Sequence, residues 1–99
     1  GIEAVKQAIY KILSTERYKY LIYDWNYGIE LADLFGKPIP FVYSMLKVRI
    51  KEALLVDDRI LEVFDFDFKE IDKETILAKY TVKTIYGDIA MNTPLNLRR

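Results

Sequence analysis

From Ile2 to Leu13 the residues Ile2, Val5, Ile9, Ile12 and Leu13 fall within an arc of about 100° on a helical wheel, with Glu3, Gln7 and Lys11 outside it. The spacing predicts an amphipathic helix with one buried stripe. Ser14 and Thr15, whose side chains compete for the backbone, should end it. From Tyr18 to Tyr27 the pattern changes to β-favouring residues in which Tyr18, Tyr20 and Ile22 alternate with Lys19, Leu21 and Tyr23. Both faces are apolar or aromatic. One reading packs this irregular strand under a helix with its hydroxyls reaching water; the other presents an aromatic face, with Tyr23 and Tyr27, to a neighbouring chain. Gly28 permits a sharp change of direction, and Ile29 to Phe35 reads as a short amphipathic turn closed by Gly36.

Lys37-Pro38-Ile39-Pro40 cannot lie inside a helix, but Pro40 suits a first turn, so the long helix should run from about Pro40 to Val56. Val42, Leu46, Ile50, Ala53 and Leu54 form one face, Met45, Val48 and Leu55 a second, and Ser44, Lys47 and Lys51 a narrow polar strip. A helix this apolar is expected to be covered on two sides. Arg49 falls between the apolar faces. Either its stem lies along them while the guanidinium reaches a carboxylate, or it contacts a partner. Asp57 and Asp58 oppose the macrodipole at the helix end, so a pair with Arg49 or Arg59 is expected to compensate.

Ile60 to Phe68 reads as a strand whose apolar parity switches between Leu61/Val63 and Phe64/Phe66, which predicts a bulge or burial of both faces. Thr75 to Tyr86 alternates Ile76, Ala78, Tyr80 and Val82 against Lys79, Thr81 and Lys83, completing a hairpin. Ile89 to Met91 extends as further strand. The architecture expected is α+β: two main helices and a short one on a small, mainly antiparallel sheet, in one domain over residues 1–92, with a loose tail at 93–99.

Composition narrows the chemistry. Ninety-nine residues suffice for one modest core, and fifteen basic against fifteen acidic side chains provide no field favouring nucleic acid or an anionic membrane. With neither Cys nor His, disulfides, thiol nucleophiles, imidazole catalysis and the usual zinc sites are excluded, and no cofactor is expected. No apolar run reaches the roughly 18 residues of a membrane span, and no signal-peptide pattern opens the chain, so a cytoplasmic protein is the default expectation. The chain starts at Gly rather than Met and is expected to be part of a longer one. An enzyme would have to work with carboxylates, for which Glu16, Asp24, Glu30 and Asp33 are the candidates, but their spacing is not that of a glycosidase pair.

The succession IEAVKQAIYKIL, TERY, YDWNYGIELADLFGKP, a long helix ending ALLVDDRI, two strands and YGD resembles the XkdS-like wedge proteins of contractile-tail baseplates, and more distantly the TssE component of type VI secretion. The resemblance implies helices packed on a small antiparallel sheet and a structural role as sheath initiator. The implied partners are baseplate wedge proteins with their helical core bundle, the tail sheath protein and neighbouring hub or tube proteins. It also implies several copies in a sixfold assembly, formed in the bacterial host cytoplasm and retained in the virion or tail-like particle. At the helix-to-strand junction the family carries an acid, Pro, then Arg, tied to holding the core bundle. Here Asp57, Asp58 and Arg59 match it, with Asp58 in the proline's place. The hairpin, with Lys79, Thr81 and Lys83, is the implied strand-bearing surface. An extension ahead of the first helix is common in the family. Some members carry a lysozyme-type label, which no matching residues support here. Two other functions remain open: a regulatory module of the anti-adaptor type that binds a response-regulator-like protein, and a carboxylate-based peptidoglycan hydrolase.

Overall fold

The computed structural model describes residues 1–17 and 27–98. In chain order they form α1 (Ile2–Leu13), a short 3-10 helix (Ala32–Leu34), α2 (Ile39–Leu54) and the strands β1 (Ile60–Glu70), β2 (Thr75–Thr84) and β3 (Gly87–Asn96). The fold is α+β, as expected. The predicted strand from Tyr18 lies outside the described residues, and with it Tyr23, Asp24 and Trp25.

The strands form one antiparallel sheet in the order β1-β2-β3. Its inner face is built by period-two alternation: Ile76, Ala78, Tyr80, Val82 and Thr84 of β2 are buried, and Ile89 and Leu95 of β3 lie opposite Val82 and Ile76. Helix α2 packs against β1 and against α1, which also touches β3. Val5, Ile9, Ile12 and Leu13 of α1 meet Val42, Leu46, Ile50, Ala53 and Leu54 of α2 in the same core. This is the first of the two apolar faces expected on α2. The second is not covered in the same way, since Val48 and Leu55 remain about half exposed. Tyr80 donates to or accepts from Thr93 Oγ1 at 2.9 Å, tying β2 to β3, and burial pushes its phenol up to about 12 against that bond.

One expectation needs correction. The 93–99 tail is not loose through most of its length: β3 runs to Asn96, Leu97 is buried, and its N–H donates to the Glu74 carbonyl at 2.7 Å. Pro94 misleads because proline is tolerated on an edge strand, where β3 lies. The short turn expected within Ile29–Phe35 is a single 3-10 turn, Ala32–Leu34, held from outside as described below.

The parity switch in β1 has a structural cause. Pairing with β2 slips between Ile60 and Glu62 and again between Phe64 and Asp67. Each slip adds one residue to β1, so Ile60, Val63, Phe66 and Phe68 all reach the inner face although their numbers change parity.

Candidate functional site

Helix α2 turns into β1 through a corner of three charged residues. Asp57 N–H donates to the Leu54 carbonyl at 3.1 Å and Ile60 N–H to the Asp57 carbonyl at 2.9 Å, which makes the corner tight. Within it the Asp57 carboxylate accepts three bonds from Arg59: backbone N–H and Nε on Oδ1, both at 3.0 Å, and Nη2 on Oδ2 at 2.7 Å. The Arg59 side chain holds the Asp57 carboxyl below the usual carboxylate range, against partial desolvation, and the same bond raises the Arg59 guanidinium. Of the two compensations expected for the acids at this helix end, Arg59 therefore provides the one that forms, and Asp58 is left exposed. The Arg59 carbonyl accepts the Ile85 N–H at 2.9 Å, bringing the β2–β3 turn beside the corner.

The surroundings are apolar. Leu55 and Val56 precede the acids, Leu61 is pushed outward as the extra residue of the first β1 slip, and Ile85 and Tyr86 form the adjoining turn; each is 46–56% exposed. An ordered ion pair among large exposed apolar side chains has the anatomy of a docking surface. Sequence reasoning found the charged triplet but missed Leu61, Ile85 and Tyr86. The available signal was a pair of large apolar residues immediately before a turn glycine, where polar residues are usual.

Arg49 is engaged inside the chain. Its Nη1 donates to Asp33 Oδ1 at 2.6 Å and to the Glu30 carbonyl at 2.9 Å, and its Nη2 to Asp33 Oδ2 at 2.9 Å. The Glu30 carboxylate lies 3.9 Å from Nη2. Glu16 reaches across to the same segment, its carboxylate accepting the N–H groups of Leu31 and Ala32 at 3.0–3.1 Å and supplying the start of the 3-10 turn with an acceptor. Arg17 Nε and Nη2 donate to the Gly28 carbonyl at 3.2 and 3.1 Å. Of the four candidate acids, Glu16 clamps the 28–33 segment from outside, Glu30 and Asp33 hold it to Arg49 from within, and Asp24 lies outside the described residues. No group of acids able to hold a metal occurs among the described residues, and no described helix is long and apolar enough to cross a membrane.

Lys79, Thr81 and Lys83 share the outward face of β2. Because β2 is the central strand, both of its edges are paired, so these side chains mark a face rather than an edge. Across the sheet Lys79 stands opposite Asp67 and Asn92, Thr81 opposite Phe64 and Ala90, and Lys83 opposite Glu62 and Asp88. Among the described residues the unpaired edges are those of β1 and β3. Tyr27 is partly buried against the core.

Comparison with known proteins gives three findings. The model of the contractile injection system sheath initiator family matches residues 1–87. The phage-like element PBSX protein XkdS of Bacillus subtilis (strain 168) is 42% identical over 92 residues, which are 90% of this chain; the chain spans 64% of that relative's length. A crystal structure of a candidate tail lysozyme from Geobacter sulfurreducens superimposes with a TM-score of 0.79 over 99% of this chain and 92% of that one, at 18% identity, a likeness of fold. With a family match over most of its length, the chain belongs to the contractile injection system sheath initiator family.

Proposed function

We propose that the chain is a non-enzymatic structural component of a contractile-tail baseplate that docks on the wedge core bundle through Asp57-Asp58-Arg59 and starts sheath assembly by offering a strand edge. The observation that carries this reading is the Asp57–Arg59 pair set among Leu55, Val56, Leu61, Ile85 and Tyr86. The pair is held rigid by the tight corner, so docking need not order it, and the exposed apolar side chains gain by leaving water. Repetition around a sixfold baseplate, with sheath, hub and tube proteins as neighbours, belongs to the same reading, as does assembly in the host cytoplasm before incorporation into the virion.

Of the two edges left unpaired among the described residues, β3 is the better template. It pairs with β2 without a slip from Gly87 to Asn96, whereas β1 carries two irregularities, and bulges discourage strand addition. A hydrolase reading lacks support from the described acids. A glycosidase acid needs a raised pKa, while Asp33 is held below the usual range by Arg49 and Glu16 is bonded to two backbone N–H groups. Arg59→Ala tests the proposal: the isolated chain should fold normally while particles carrying it fail to form sheathed tails. Normal sheathed tails from that variant would overturn the docking assignment.

A further inference from the structure

A concave surface lies at the opposite end of α2 from the charged corner. It is a groove of about 420 Å³ between the start of α2, the β1–β2 turn and the end of the chain. Phe35, Pro38 and Ile39 provide an accessible apolar lining above the buried Leu34, Val42, Ile76 and Leu97, and Lys37 and Lys73 stand on its two walls. The described residues place no carboxylate within 4 Å of either ammonium group. Helix α2 begins here without a side-chain cap and without an acid in its first turn, so its N-terminal partial charge adds to the lysines. Glu70 is the single acid in the lining and leaves the balance positive.

We propose that this groove receives a short segment of a neighbouring protein that combines aliphatic side chains with flanking carboxylates. The volume is that of a small ligand pocket, about 300–1,000 Å³, too small for a folded element yet sufficient for aliphatic side chains. Phe35, Pro38 and Ile39 have no polar side-chain atom with which to orient a small polar metabolite, whereas they suit Leu, Ile or Val. The two lysines then select the charge of the residues beside them. Sixteen residues of α2 separate this groove from the Asp57–Arg59 corner, about 24 Å at the helical rise. The two surfaces can be occupied together, so the chain links two neighbours. Binding at the groove goes beyond the function proposed above and does not depend on it; the linking of two neighbours rests on that function.

The test uses the full 99-residue chain, isotopically labelled, titrated with a synthetic peptide of alternating Leu and Glu and, separately, with one of alternating Leu and Lys. The Glu peptide is expected to shift the amides of Gly36, Lys37, Ile39 and Ile76 to saturation, and the Lys peptide to leave them unchanged. Both lysines are exposed, so Lys37→Glu with Lys73→Glu should keep the fold and weaken the Glu peptide by about tenfold. The milder pair Lys37→Gln with Lys73→Gln should weaken it less. Arg59→Ala should bind as the unaltered chain does, separating this groove from the docking corner. Shifts that map elsewhere, equal response to the two peptides, or affinity insensitive to the lysines would overturn the proposal.

Discussion

The guanidinium of Arg49 grips the Asp33 carboxylate with two nearly parallel bonds of 2.6 and 2.9 Å, tying the middle of α2 to the single 3-10 turn that precedes it. Its third bond, to the Glu30 carbonyl, prevents the turn from sliding along the helix. Arg49 is largely covered, with a side chain 16% exposed, while Asp33 is half exposed. Solvent therefore screens the acid, and the pair contributes less than a buried one. Arg49→Ala should cost about 1–2 kcal/mol, because a backbone carbonyl loses its partner along with the acid. Arg49→Lys should recover only part of that loss, since an ammonium cannot reproduce the fork. Chemical denaturation of the three proteins checks this; an unchanged midpoint for Arg49→Ala would show the clamp to be decorative.

Two carboxylates set the acid limb of stability. Asp33 is held below its ordinary value of 3.8, first by the Arg49 side-chain bond, and Asp57 below the same value, first by Arg59; desolvation opposes both. Near pH 3.8 the unfolded chain therefore binds more protons than the folded one, and folding weakens as pH falls. The contribution is fully present above that value and disappears as pH drops through the depressed folded values. Asp33→Asn, measured by denaturation across this range, should be less stable than the unaltered chain at neutral pH and converge with it in strong acid. A difference between the two that does not vary with pH would contradict the linkage.

Gly28 adjoins the bridge that pairs Glu16 with Ile29. Ile29 N–H donates to the Thr15 carbonyl at 2.9 Å and Arg17 N–H to the Ile29 carbonyl at 3.1 Å. The Gly28 φ of 91° is left-handed, and a Cβ there would sit 2.5 Å from the Thr15 carbonyl oxygen. That oxygen is backbone and already bonded, so it cannot give way. Gly28→Ala should cost about 2–4 kcal/mol, combining backbone strain with steric conflict. Gly36 has φ of 81° with nothing within 4 Å of a built Cβ. Gly36→Ala should therefore show the conformational cost alone, about 1 kcal/mol. Equal thermal shifts for the two substitutions would show that the contact with Thr15 adds nothing.

What the sequence revealed depended on whether local pattern or distant contact was decisive. Helix α1 was legible to its end residues because its stripe is strictly periodic, and β2 because its alternation is unbroken. Strand β3 was only half legible: Ile89, Met91 and Leu95 keep the inward alternation, but Asn92, Thr93 and Pro94 look like loop residues unless the strand is known to be an edge. Glu16 gave no local sign of its task, since its partners lie fifteen and sixteen residues away. The second apolar face of α2 predicts a cover on that side without saying which chain supplies it. Exposed Val48 and Leu55 show that apolar periodicity records burial without recording whose surface does the burying.

The second slip in β1 makes the last prediction. Phe64 pairs with Thr81 and Asp67 with Lys79, so two residues, Asp65 and Phe66, face the single position of Tyr80. Asp65 absorbs the excess at φ 57°, in the left-handed region. The consequence is that Phe66 stacks on Tyr80 and Phe68, and Phe68 on Tyr43, at centroid separations of 5.3–5.9 Å, inside the layer beneath α2. Asp65→Gly should be neutral or stabilising by up to about 1 kcal/mol, and Asp65→Val destabilising by about 1–2 kcal/mol, since a β-branched residue resists positive φ. Deleting Asp65 should leave the strand regular, with Val63, Phe66 and Phe68 still on the inner face. Deleting Asp67 instead turns Phe68 outward and Lys69 inward, and should destabilise the chain far more. Near-ultraviolet circular dichroism and thermal unfolding of the two deletions decide the matter, because equal losses would mean that Asp65 is not the residue setting the register of the aromatic layer.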